Sequence, residues 1–207
     1  MKKILSISFL GLLVLMLSGC LKTLYPFFTE SDVVFKPELI GVWKFKEPDN
    51  EGYFSFSVID QSYLSKQYPG LKQIADKGYF VTRYEKNGQI KEKNIVFLAR
   101  IGKYYYLDFY PMDIETQKVN EAFKQQSIKL HSCYKLDLQN GNAFQMKRFS
   151  GDFVEKLIDT KQIRMSYEKT DKRIITASTK ELQEFLVKFS DDKKAYDQDY
   201  YCSRIVN

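Results

Sequence analysis

Histidine and tryptophan are nearly missing from this chain, with one of each among 207 residues. With His131 alone, no H-E-x-x-H pair can form, and the three cysteines include no C-x-x-C spacing, so no metal ligand set is expected. No Gly-rich phosphate loop and no G-x-S-x-G elbow occur, which removes the common nucleotide-binding and serine-hydrolase signatures. Asp191-Asp192 and "YDQDYY" do not follow the spacing of a calcium loop. Long blocks of one charge are lacking as well. Lys alternates with Glu in stretches such as "YEKNGQIKEKN", and the net charge of +6 is mild, so a solvated surface is expected and nucleic acid is not.

What the chain does have is aromatic weight, with 15 Tyr and 16 Phe. Tyr, Phe, Ile and Val favour pleated, half-buried surfaces. The length suits one globular domain able to bury a core without metals. From Tyr53 to Ile59, Phe54, Phe56 and Val58 share one face and Ser55 and Ser57 the other, the pattern of a half-buried strand. "GYFVTRYEKNGQIKEKNIVFLARIGKYYYLDFYP" reads as two linked hairpins, turning at Asn87-Gly88 and Gly102-Lys103. "SIKLHSCYKLDLQNGNAFQMKRFS" repeats the pattern with a turn at Asn140-Gly141, and "IRMSYEKTDKRIITAS" gives another hairpin. The expectation is a mainly β (α+β) fold of about eight or nine antiparallel strands.

Helices are fewer. Short ones are expected within 62–76, 114–126 and "GDFVEKLIDTK". Ser178-Thr179-Lys180-Glu181 is a capping box, and Leu182, Phe185, Leu186 and Phe189 then make an apolar stripe for docking a C-terminal helix on the sheet.

The N-terminus carries an address. Lys2 and Lys3 precede an uncharged apolar run from Ile4 to Leu17, too short to span a bilayer comfortably and of signal-peptide length. It ends in Leu17-Ser18-Gly19-Cys20, which resembles the lipobox of bacterial lipoproteins at all four positions. The resemblance implies removal of residues 1–19, a diacylglycerol on the Cys20 sulfur and often a further acyl chain such as palmitate on the new amino group. Two or more chains would hold the protein on a membrane durably. The expected location is an exported, lipid-anchored one, on the periplasmic face of the outer membrane in a diderm cell. Residues 20–39 read as a membrane-proximal segment and 40–207 as the globular domain.

Gly41-Val42-Trp43 at the start of the first strong strand is similar to the Gly-x-Trp motif of lipocalins, whose Trp packs across one end of an eight-stranded barrel. The resemblance implies that the sheet closes, with Arg204 a candidate to stack on Trp43. "PFFTESDVVFKPELIGVW", "YYYLDFYP" and "RIITASTKELQEFLVKF" also resemble a group of uncharacterised bacterial proteins, which brings no activity with it.

His131 and Cys133 lie two apart and share a strand face, the residue types of a thiol nucleophile and its base. Setting Cys20 aside leaves Cys133 and Cys202, an even pair that an exported compartment could oxidise to a disulfide. That bridge ranks ahead of two buried thiols, and both rank ahead of catalysis. Asp108, among aromatics in "YLDFYP", reads as a strand-end Asp bonding a turn rather than as an acid catalyst. The leading functional expectation is a non-catalytic module, with no cofactor beyond its covalent lipid, binding a small apolar ligand or an envelope partner. The alternatives are a structural or assembly lipoprotein without a ligand cavity and an enzyme using His131 and Cys133.

Overall fold

A computed structural model describes residues 19–47, 50–112, 127–139, 141–170 and 173–205. The leader core, the helix expected at 114–126 and Asn140 lie outside these residues.

Alternation of side chains builds the strands, and their order closes them. After two short strands, β1 (Lys22–Thr23) and β2 (Val33–Val34), the chain runs through β3 (Gly41–Lys46), β4 (Glu51–Val58), β5 (Gly78–Glu85), β6 (Ile90–Ile101), β7 (Tyr104–Pro111), β8 (His131–Gln139) and β9 (Ala143–Phe149). A hairpin of β10 (Tyr167–Lys169) and β11 (Arg173–Ile175) and a last strand β12 (Tyr196–Arg204) complete the set. Strands β3 to β8 pair as a meander, β12 inserts between β3 and β9, and β9 returns to β8, so eight antiparallel strands form a closed barrel. The expected turns appear at Gly88 and Gly102, both with positive φ.

Period-two alternation sends one set of residues inward. Trp43, Phe45, Phe54, Phe56, Tyr79, Val81, Val96, Leu98, Leu107, Leu136, Phe144 and Met146 fill the barrel. Their rings meet edge to face, as in Trp43–Phe144 at 4.6 Å and Phe45–Tyr200 at 5.4 Å, so the interior is a packed core.

A second core covers the outer wall of β6 to β9. Ile95, Phe97, Ala99, Tyr106, Cys133 and Phe149 point outward there and pack under the helices. These are α1 (Gln61–Gln67), running into a 3₁₀ segment at Pro69–Lys77 where one helix was expected, α2 (Gly151–Asp159) and α3 (Thr179–Phe189). The α3 capping box forms as read, with Ser178 Oγ accepting from the Glu181 N–H and the Glu181 carboxylate accepting from the Ser178 N–H at 2.9 Å. Leu182, Phe185 and Leu186 are buried.

The segment 20–39 is part of this body. Leu21 is buried and its N–H donates to the Phe149 carbonyl at 3.1 Å, while β1 pairs with both β8 and β11. Thr179 and Gln183 of α3 donate to the Pro26 and Phe27 carbonyls at 3.0 and 3.2 Å.

Candidate functional site

The two ends of the barrel differ. At one end, a 3₁₀ turn at Pro37–Leu39 crosses the opening, and the Trp43 indole N–H donates to the Leu39 carbonyl at 2.8 Å. Arg204 stacks on Trp43, its guanidinium carbon 4.2 Å from the ring centre, and Nη1 donates to the Ile40 carbonyl at 2.9 Å. A methyl group at Gly41, whose φ is +134°, would stand 2.7 Å from Arg204 Nη1, so glycine is what lets the arginine in. This end is sealed.

At the other end, inward positions turn polar. Arg83 and Arg148 continue the inward faces of β5 and β9, with Glu92 and Asn94 on β6, Ser132 on β8 and Cys20 at the rim, around a void of about 410 Å³. Arg83 bridges Glu47 at 3.2 Å and Glu92 at 3.3 Å, and Arg148 bridges Asp197 at 2.8 Å. Burial pushes the Asp197 carboxyl above its ordinary value, against the opposing pull of Arg148.

The most chemically organised cluster lies on the outer wall. Asp108 stands inside β7 rather than at its end, directly across from Cys133 on β8. Its carboxylate is buried and accepts twice: from the Phe27 N–H at 2.9 Å and from His131 Nδ1 at 2.6 Å. With Nδ1 donating to the carboxylate, Nε2 is the second polar position of the ring, an acceptor whenever the imidazole is neutral. Tyr110 packs on the imidazole with centroids 4.8 Å apart. Among the described residues Nε2 makes no hydrogen bond. His131 lines a depression of about 300 Å³ whose apolar lining includes Pro26, Phe28, Leu71 and Phe97.

Sequence reasoning put His131 and Cys133 on one strand face and treated Asp108 apart from them, and the structure adds Asp108 to that face from the neighbouring strand. The thiol is not an activated nucleophile. Cys133 is wholly buried, and burial followed by the negative charge of Asp108 pushes its pKa well above the ordinary value. The expected Cys133–Cys202 disulfide is absent, and both thiols are free. Cys133 points out of the barrel and Cys202 points in, on strands separated by β9. Strand spacing alone sets them roughly 10 Å apart, beyond the reach of a disulfide.

The Phe27 N–H escaped the sequence reading because nothing local ties residue 27 to residue 108. Arg83 had a readable signal, as the next residue in the period-two series Tyr79, Val81, Arg83 on the inward face. No cluster of His, Cys, Asp and Glu able to hold a metal occurs among the described residues. No family model, curated protein or solved structure matches the chain.

Proposed function

We propose that the chain is an exported, lipid-anchored, non-catalytic binding module. Its ligand is a small, mostly apolar molecule carrying one hydrogen-bond donor, held in the wall depression rather than inside the barrel. The observation that carries this reading is the His131 imidazole, oriented by buried Asp108, lining an apolar recess with no hydrogen bond to its second nitrogen among the described residues. Pockets of this size and character suit small molecules. The enzyme reading built on His131 and Cys133 is disfavoured, since that thiol is buried and its pKa is pushed up by burial.

A suitable probe is 2-naphthol, whose ring fills apolar space and whose hydroxyl can donate to Nε2. Calorimetry on the mature body should show saturable binding. Leu71→Trp, which fills the recess, should abolish it, and His131→Gln should weaken it about tenfold, roughly 1.4 kcal/mol. Unchanged affinity in Leu71→Trp would contradict the site. It would leave the assembly lipoprotein, which the side-chain-filled barrel also suits.

The address is tested separately. Cys20→Ser removes the sulfur that would carry the diacylglycerol, so the acyl mass should vanish and the protein should leave the membrane fraction. An unaltered mass and membrane fraction would contradict the anchor. Among the described residues no helix is long and apolar enough to cross a membrane.

A further inference from the structure

The position of Cys20 in the fold carries a consequence for how the anchored protein stands on its membrane. A long flexible tether would leave orientation free. Here the residues around the cysteine belong to the barrel. Cys20 forms a bridge with Ser150, and the Leu21 N–H donates to the Phe149 carbonyl at 3.1 Å. Lys22 Nζ donates to Ser132 Oγ at 2.6 Å, and the Leu24 N–H donates to the Ile175 carbonyl at 2.9 Å. Cys20 also lines the open mouth, beside Lys22, Arg83, Lys91 and Arg148. A lipid on this sulfur leaves the protein through the mouth, with no free residues between the fold and the acyl chains.

We infer that the anchored barrel stands mouth-down, its polar opening docked on the phospholipid headgroups and its Trp43–Arg204 end pointing away from the membrane. The inference rests on the lipid-anchor reading above. The surface chemistry agrees with it. Arg83 is bridged to Glu47 and Glu92 and Arg148 to Asp197 inside the mouth, while Lys22 and Lys91 stand among its lining residues, ammonium groups of the kind that meet phosphate headgroups.

Strand β6 supplies the ruler. Lys91 sits at its mouth end, and Lys103 sits in the turn beyond its far end, on the order of 30 Å away after allowing for strand tilt. Both side chains are exposed, at 45% and 77%. Lys91→Cys and Lys103→Cys variants of the full chain, processed by the cell, can each be labelled with an environment-sensitive fluorophore. Cys133 and Cys202 are buried and the lipid blocks Cys20, so the label goes to the new thiol.

The labelled proteins are reconstituted in phosphatidylethanolamine–phosphatidylglycerol vesicles containing a headgroup-linked quencher. Quenching at Lys91→Cys should exceed that at Lys103→Cys severalfold. Equal quenching, or the reverse order, with the acyl mass present would overturn the orientation alone. A chain without the acyl mass would overturn the anchor and the orientation together, and intact-mass measurement on the same sample separates the two failures.

Discussion

Arg204 and Trp43 show how much a single glycine can control. The guanidinium reaches the indole face only because Gly41 has no side chain and holds a positive φ. Gly41→Ala should displace Arg204 and destabilise the protein by about 2–4 kcal/mol, through steric and backbone strain together. The chain's one tryptophan reports the event directly: urea unfolding followed by its fluorescence should show a lower midpoint, and an unchanged midpoint would contradict the packing described. Asp108 is the second critical residue. Asp108→Ala leaves the buried Phe27 N–H without its acceptor and frees the imidazole, at a cost of about 2–4 kcal/mol. A fall in stability below 1 kcal/mol by the same assay would count against that role. Tyr79 gives a pH prediction. Desolvation inside the barrel raises its hydroxyl to about 12, while the Lys36 backbone hydrogen bond opposes the shift. A raised folded value favours the protonated native state. This contribution is complete below about pH 10, the unfolded tyrosine value, and is lost as pH rises towards 12. Tyr79→Phe should reduce the loss of stability across that window, measured by denaturant midpoints at each pH.

At the scale of elements, the strands and the last helix were the most legible parts of the chain. Period-two alternation in "YFSFSV" and the glycine turns place β4 to β7 correctly, because half-buried strands write their two faces directly into sequence. The capping box placed α3 to the residue. The short strands β1 and β2 were not legible, since two residues cannot display a period and their pairing depends on distant partners. The disulfide expectation failed for a related reason. Counting thiols ignores which face each one occupies, and the alternation of "CYKLDL" against "YYCSR" places Cys133 outside and Cys202 inside only once the barrel is closed. His131 and Cys133 were rightly put on one face, but the residue that organises them, Asp108, comes from the neighbouring strand, and its bond to the Phe27 N–H crosses most of the fold. The N-terminal segment is itself an element of the site, because α3 clamps it and so brings Phe27 and Phe28 to the wall.

For the whole molecule, barrel closure divides the labour between surfaces. The interior is occupied by aromatic side chains, one end is sealed by Trp43 and Arg204, the other is polar, and the mostly apolar recess proposed to take the ligand lies on the helix-covered wall. The resemblance carried by Gly-x-Trp thus led to the right closure, while the filled interior leaves the outer-wall recess as the place for the proposed ligand. The composition supplies its own reporters for this claim, since the one histidine lines the recess and the one tryptophan lies in the barrel core. The most direct measurement is a heteronuclear NMR titration of the mature body with 2-naphthol, following the His131 imidazole and Trp43 indole resonances together. The account predicts a saturable shift at His131 with Trp43 unmoved. A titration that leaves His131 unmoved, or that shifts Trp43 instead, would contradict it.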